Sequence, residues 1–441
     1  MIDRWRPLRL VVDDASVSAE NVALLKTFAE DAELEIWHTR ADVDPHLEIG
    51  DEFDTGFSMG GSRTVLAISA ESNTMLGIYG VDRLQQLSRE IAAQVRRPEA
   101  EIFEALCFAA ASDELDADGF VTERDYLLGR EGPRDPVAFR ASEAFALVGL
   151  IRRTHQNDSL GSDMGGLRLL GSTYHFVLER ELLRDGWPWF SSVVSSGTVN
   201  RDDGLVYLAQ TARERFTRVL QIRERLHMAA KGEPTRSRGD EMVFQLETFL
   251  MFLSASFDAV ARVAHITYLT GDYGAAGFRR EGWRESLRAV APNLAALGDD
   301  DTRGGKILQV IGALRNTIHG EGLRSGEIKQ SGQPTLQLVR LTEREGQRLK
   351  RGLESIGADL AAWGVHETRT DLRVAADRFV EALLPESVTL LNQLMAATDT
   401  ALLPGAAGPP LARLVDQPDP NWHRDMLSWE VRSRVRLLSG L

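Results

Sequence analysis

The stretch LRLVVDD, Leu8 to Asp14, indicates the fold class of the N-terminal part of this chain. Apolar residues dominate it and two acidic residues end it, which predicts a buried strand followed by a turn. A helical pattern comes next, with Ser18 placed to cap its N-terminus and Val22 and Leu25 at helical spacing. A strand followed directly by a helix is the repeating unit of an α/β domain.

The same alternation continues to the Gly- and Pro-rich segment GREGPRDP, Gly129 to Pro136. Short apolar runs, LEIWHT, TVLAIS and GFVT, alternate with longer helical patterns such as VDRLQQLSREIAAQV. We therefore expect residues 1–136 to form an α/β domain with a partly parallel sheet, and GREGPRDP to mark its end.

Beyond this segment the pattern is almost entirely helical. A polar break, GEPTRSRGDE, precedes the long apolar helix expected over Met242 to Leu269, and a Pro- and Gly-rich linker precedes a short terminal helix. The sequence thus predicts three further segments: a helical middle segment over 137–234, a helical bundle over 235–400, and a linker with a terminal helix over 401–441.

Composition narrows the class of protein. The 65 acidic and 51 basic residues give a formal net charge of -14, which excludes a uniformly basic nucleic-acid coat and leaves only local nucleic-acid contact. Arg supplies most of the positive charge, a bias typical of GC-rich bacterial genomes. Cys107 is the single cysteine, so intrachain disulfides and thiolate metal clusters are excluded. Without an apolar run of about 18 to 20 residues we expect a cytoplasmic protein that does not contact a membrane.

The stretch GALRNTIHGEGLR, Gly312 to Arg324, carries the strongest functional signal. Residues four apart share a helix face, so Arg315 and His319 can point together, with Asn316 at the edge. Gly320 fits a helix end, where the dipole favours the charged imidazole and keeps it suited to acid–base chemistry. Such a pair suits metal-independent RNA cleavage, with His319 accepting the ribose 2′-OH proton and Arg315 stabilising charge on the phosphate.

This stretch, preceded by an apolar helix and by the long helix from Met242, resembles the signature of HEPN-domain proteins. The resemblance covers about residues 240–400. It implies a helical bundle that forms a homodimer, in which two Arg/His pairs meet to make a ribonuclease site that needs no cofactor. It also implies RNA as substrate, an antitoxin or defence-system protein as partner, and a bacterial toxin–antitoxin or phage-defence role. His265 lies on a largely apolar helix, and we therefore expect it to be a hydrogen-bonded core histidine and not a catalytic residue.

Acidic residues recur where the N-terminal strands end. Asp13 and Asp14 follow the first strand, Asp125 follows GFVT, and Glu101 and Glu104 lie on the preceding helix. In a parallel sheet the carboxyl ends of the strands share one edge, so these carboxylates could converge. A converged set would hold Mg²⁺ or Mn²⁺ and activate a water for phosphodiester hydrolysis.

The stretch EALCFAAASDELDADGFVTERDYLL also resembles the final helix, strand and turn of PIN-like nucleases. The resemblance implies that Asp13 or Asp14, Glu104 and Asp125 are metal ligands and places Thr122 beside them. The central acid of such a site stays open among Glu48, Glu52 and Asp54.

We therefore expect a ribonuclease of HEPN type, with a second, PIN-like metal-dependent nuclease domain at the N-terminus. The alternative is a helical dimer without catalytic activity that binds RNA, a nucleotide or another protein.

Overall fold

The computed structural model describes most of the chain, namely residues 7–29, 31–39, 55–59, 65–68, 81–114, 117–128, 137–155, 157, 159–164, 167, 169, 171–231, 235–320, 323–328, 336–368, 371–406 and 428–441. Backbone alone is described at 55–59, 65–68, 81–84, 110–111, 113–114, 162, 172, 231, 236, 316–317, 319–320, 327–328 and 336–337.

The N-terminal sheet has six strands in the order β4-β3-β2-β1-β5-β6. They are β1 (Leu8–Val12), β2 (Leu34–His38), β3 (Thr55–Met59), β4 (Val65–Ile68), β5 (Gly119–Val121) and β6 (Ala138–Phe139). The four strands β2, β1, β5 and β6 are parallel, and β3 and β4 add an antiparallel edge. The predicted α/β fold with a parallel sheet is thus confirmed at this level.

Strand β1 lies inside the sheet, and Leu10, Val11 and Val12 are fully buried. The helices of this part are α1 (Ala19–Lys26), α2 (Val81–Val95), α3 (Glu99–Glu114) and α4 (Ala141–Thr154). Val12 is in register with His38 on one side and with Val121 on the other. The residues that follow these three strands therefore meet at one edge of the sheet.

The chain divides into two compact units, one of residues 5–174 with 433–441 and the other of residues 175–432. The first unit extends beyond the boundary expected at residue 136. The reason is that Ala138 and Phe139 pair with β5, and α4 begins directly after them at Ala141. Glycine at 119 lets β5 approach this strand, since a Cβ there would lie 2.0 Å from the Phe139 ring.

The remainder is mostly helical, as predicted. Its helices are α5 (Gly171–Leu182), α6 (Gly186–Asn200), α7 (Asp203–Lys231), α8 (Arg236–Tyr268), α9 (Glu281–Arg288), α10 (Pro292–Ala296), α11 (Arg303–Gly320), α12 (Glu343–Ser355), α13 (Ala376–Ala397) and α14 (Trp429–Ser439). An antiparallel sheet accompanies them, in the order β7-β8-β10-β9, with β7 (Arg324–Ile328), β8 (Leu336–Leu341), β9 (Val365–Glu367) and β10 (Leu372–Val374). The sequence predicted only β8 of these strands.

Helix α8 is the central element of this second unit. Its Thr235 cap accepts a hydrogen bond from the Arg238 amide, and Leu253, Val260 and Ala264 along it are fully buried. Within the described residues, Ser237–Tyr268 is long and apolar enough to cross a membrane, but 61% of its most apolar window is buried in the protein. Such burial is expected of a helix around which others pack.

Helix α7 is joined to α13 by an ion-pair network. Arg223 and His227, one turn apart on α7, both pair with the Glu381 carboxylate on α13. Burial alone would raise the pKa of Glu381, but the hydrogen bonds from His227 and Arg223 outweigh it and lower the pKa from 4.5 to about 2. The charged carboxylate is therefore favoured in the folded state.

We predict that Glu381→Gln lowers the free energy of unfolding by about 1 to 3 kcal/mol at neutral pH. A depressed pKa contributes stability that is complete above the unfolded value of 4.5 and is lost as the pH falls toward about 2. The difference between wild type and variant should thus shrink over this range in thermal denaturation. Glu354→Gln, at an exposed position on α12, is the control. A difference that stays constant from pH 7 to pH 3 would contradict the assignment.

Candidate functional site

Arg315 lies in the last turns of α11, where the sequence placed it. The apolar residues of this helix predicted to face the core, Ile307, Val310, Ile311 and Leu314, are all buried. Arg315 keeps 35% of its side chain exposed, and its Nη1 lies 3.9 Å from Oδ2 of Asp258 on α8. The packing of α11 on α8 thus presents a partly exposed guanidinium beside the Asp258 carboxylate.

Asn316 and His319 lie on the same helix, which ends at Gly320. Their backbone is helical, so His319 follows Arg315 by about one turn. The side chains of both residues lie outside the described part of the structure, and the predicted pairing of Arg315 with His319 therefore stays a prediction.

A second guanidinium, that of Arg279, packs directly against α11. It contacts the helix at Gly312, where a Cβ atom would lie 2.1 Å from Nη2 of Arg279. Glycine at this position is what makes room for the arginine. Burial lowers the pKa of Arg279, the neighbouring Arg315 lowers it further, and Asp258 opposes both effects.

A third guanidinium approaches Asp258 from α7. Arg215 donates a hydrogen bond through Nη1 to the Ala255 carbonyl on α8, at 2.9 Å. Burial lowers the pKa of Arg215, and the charges of Arg262 and Arg218 lower it further, whereas Asp258 raises it. Like charges are therefore held close enough to repel one another at this place.

We call this group the arginine cluster; it comprises Arg215, Arg279 and Arg315, which interact with Asp258, together with Arg218 and Arg262, which interact with Arg215. Three of these guanidinium groups thus interact with the same carboxylate, in a protein whose total charge is -14. Guanidinium groups bind phosphate oxygens through a planar fork of donors, and crowded ones gain most from an anion between them. The arrangement suits binding of a phosphate or of a chain of phosphates.

Sequence reasoning found only Arg315 of this cluster. Asp258 and Arg262 lie four residues apart on α8, and that spacing could have indicated a shared polar face. Arg215 and Arg279 come from segments far from Arg315 along the chain, and they meet it only through packing of α7, α8 and α11.

The acids predicted for the N-terminal unit are placed differently from one another. Asp13 is buried, and its Oδ2 accepts hydrogen bonds from Thr122 Oγ1 at 2.9 Å and from Arg124 Nε at 2.7 Å. The sheet edge brings Asp13 and Thr122 together, because β1 and β5 are parallel neighbours. Arg124, which the sequence did not single out, also lies 3.1 Å from Glu101 on α3.

Asp14 pairs with a histidine instead of with the other acids. Its Oδ1 lies 2.9 Å from Nδ1 of His38, at the end of β2, and its backbone N–H donates to Thr39 Oγ1. The Nε2 atom of His38 is buried without a hydrogen-bond partner among the described residues. The position of His38 beside Asp14 results from the parallel register of β1 and β2. The sequence predicted a partly parallel sheet but not the register of these two strands.

The remaining predicted ligands lie apart from Asp13. Glu104 is exposed on α3, and Asp125 is 84% exposed and pairs with Arg140. In the parts of the chain that the structure describes, no group of three His, Cys, Asp or Glu residues is placed to hold a metal ion. The central acid, sought among Glu48, Glu52 and Asp54, lies outside the described residues.

Arg124 takes the place that a divalent cation would need between Asp13 and Glu101. Burial alone would lower the pKa of Arg124, but hydrogen bonds to Asp13 and Tyr126 outweigh it and raise the pKa. The guanidinium therefore stays charged and satisfies the buried Asp13. The residues as placed fit an internal ion pair better than a site for Mg²⁺ or Mn²⁺.

Comparison with protein-family models, with curated proteins and with solved structures found no match to this chain.

We predict that Asp13→Asn destabilises the first unit by about 1 to 3 kcal/mol, because the partly buried Arg124 guanidinium then keeps only Glu101 as a charge partner. Asp125→Asn, at an exposed position, should change the free energy of unfolding by less than about 0.5 kcal/mol. Thermal denaturation with and without Mn²⁺ measures both effects. A rise in Tm with Mn²⁺ that both variants abolish would contradict the ion-pair assignment and support a metal site.

A further prediction concerns Asp258. Asp258→Asn should lower the free energy of unfolding by about 1 kcal/mol at low ionic strength, because the carboxylate no longer offsets the repulsion that Arg215 and Arg279 experience from neighbouring arginines. Inorganic phosphate should raise the Tm of this variant more than that of wild type. The control is Asp301→Asn, at an exposed turn before α11. Equal phosphate responses in all three proteins would contradict an anion site at the arginine cluster.

Proposed function

We propose that this protein is a ribonuclease that cleaves RNA without a metal ion, at the face formed by α8 and α11. The observation that carries the proposal is the arginine cluster, in which the partly exposed Arg315 interacts with Asp258, as Arg279 and Arg215 also do. A local concentration of positive charge on an acidic protein attracts a polyanion to one place and leaves the rest of the surface repulsive.

The chemistry would use the substrate's own hydroxyl as nucleophile. His319 accepts the proton of a ribose 2′-OH, and the bond from this oxygen to phosphorus forms as the bond to the 5′ oxygen breaks. The proton is then returned to the departing 5′ oxygen. Arg315 stabilises the charge that develops on the phosphoryl oxygens during the transfer.

Arg279 and Arg215 would act on binding and not on bond breaking. Both are partly buried, and burial together with neighbouring positive charge lowers their pKa. A phosphate near them relieves this repulsion, so part of the binding energy of RNA comes from strain already present in the free protein.

The motif RNTIHG supports assignment to the HEPN family, with a homodimer that encloses one phosphate between two Arg/His pairs. By the same resemblance we propose a bacterial toxin–antitoxin or phage-defence role, with an antitoxin or defence-system protein as partner. The contact of Asp258 with Arg315 supports a second candidate. Because a carboxylate there already neutralises part of the Arg315 charge, the face could bind RNA without cleaving it.

The test incubates the protein with single-stranded RNA in the presence of EDTA. We expect cleavage that persists in EDTA and falls at least about 100-fold in His319→Ala and in Arg315→Ala. His155→Ala is the matched control, because His155 also ends a helix behind two arginines, Arg152 and Arg153, but lies in the other compact unit.

The other outcomes separate the alternatives. RNA binding without cleavage would contradict the ribonuclease proposal and support the alternative, a protein that binds RNA without catalytic activity. Cleavage that EDTA abolishes, and that Asp13→Ala or Asp125→Ala also abolishes, would move the chemistry to the PIN-like region and overturn the proposal for α11.

A further inference from the structure

An exposed tyrosine lies next to the arginine cluster, just after α8. Tyr273 begins a short 3-10 turn, Tyr273–Ala275, which is held by a hydrogen bond from the Gly274 amide to Asp272 Oδ1 and by one from Arg280 Nη1 to the Gly274 carbonyl. The turn follows Gly271, whose φ of +68° suits glycine. The backbone that carries Tyr273 is therefore well fixed.

Two side chains of α8 contact the Tyr273 ring. The His265 ring lies 5.5 Å from it, centroid to centroid, in an edge arrangement, and Cζ of Arg262 lies 5.7 Å from its centroid. Even so, Tyr273 remains 44% exposed. The ring is thus supported by its neighbours and still open to solvent, as a stacking platform must be.

His265 departs from the expectation of a hydrogen-bonded core residue. It is only partly buried, and its Nδ1 is buried without a hydrogen-bond partner in the described parts of the chain. Its place is explained by the ring contact with Tyr273, which a sequence reading of α8 alone does not reveal.

The positive charge around Tyr273 favours an anionic ligand over a cationic one. Arg262 also interacts with Arg215, so the tyrosine stands at one end of the arginine cluster. A cationic ligand would be repelled by these guanidinium groups, although an aromatic face alone could bind one. An aromatic base joined to a phosphate satisfies both the ring and the arginines.

We propose that Tyr273, Arg262 and His265 form a subsite for one unstacked nucleotide of single-stranded RNA. The base stacks on the exposed part of the Tyr273 ring, and Arg262 with Arg215 binds an adjoining phosphate. The choice of RNA as the ligand rests on the proposed function. The subsite itself lies on α8 and the following turn, and it contains neither Arg315 nor His319.

The test measures binding of the full-length protein to a fluorescent 2′-O-methyl RNA of about ten nucleotides, which lacks the nucleophile and so cannot be cleaved. Tyr273→Ala should weaken binding about 5- to 150-fold, because base stacking on an aromatic ring is worth about 1 to 3 kcal/mol. Tyr273→Phe should bind like wild type, since the ring is kept. Tyr207→Ala, at a tyrosine of α7 that is 71% exposed, should also bind like wild type.

Salt dependence separates the two parts of the subsite. Arg262→Ala should reduce the slope of log affinity against log salt by about one, whereas Tyr273→Ala should leave the slope unchanged. A duplex of the same sequence should bind wild type and Tyr273→Ala equally, because its bases are not free to stack on protein.

Equal affinity of Tyr273→Ala and wild type for the single strand would overturn the subsite, even if the protein cleaves RNA. Absence of any RNA binding would overturn it as well. If Tyr273→Ala weakens binding but the wild type never cleaves RNA, the subsite stands and the proposed ribonuclease fails. The two proposals therefore fail by different results.

Discussion

Asp258 is the group on which the second unit's polar face depends. It lies on α8, the central helix of that unit, and it offsets the charges of Arg215, Arg279 and Arg315, which reach it from α7, from the segment before α9, and from α11. Without a carboxylate here, burial and repulsion would both oppose the packing of these arginines. One negative charge among several positive ones stabilises the arrangement but leaves an excess that an incoming anion can neutralise.

The fold class of both units could be predicted from the sequence because it depends on local features, namely apolar periodicity and helix capping. A buried apolar strand followed by a capped helix predicted an α/β unit, and the structure confirms a parallel sheet and the cap formed by Ser18. Periodicity also identified the buried face of α11 correctly. It missed the strands β7, β9 and β10, because segments of three to five residues carry too little pattern to be distinguished from loops.

The site was only partly predictable, since charged partners are set by tertiary packing. In a chain with so many arginines, nothing local marks Arg124 as the partner of Asp13, or Arg279 as the side chain that lies over Gly312. The resemblance to PIN-like nucleases placed Thr122 beside Asp13, but nothing in the sequence indicated that a guanidinium would satisfy the acid. The sequence did not identify Tyr273 as a candidate binding residue, because its position beside Arg262 depends on how the loop packs against α8.

The chemical identity of the RNA ends tests the central claim most directly. Mass spectrometry of RNA incubated with the full-length protein in EDTA should find 2′,3′-cyclic phosphate and 5′-hydroxyl ends, because attack by the ribose 2′ oxygen leaves the phosphate on the upstream fragment. Ends with a 3′-hydroxyl and a 5′-phosphate, formed only when a divalent metal is present, would contradict the account, since they require attack by a metal-activated water.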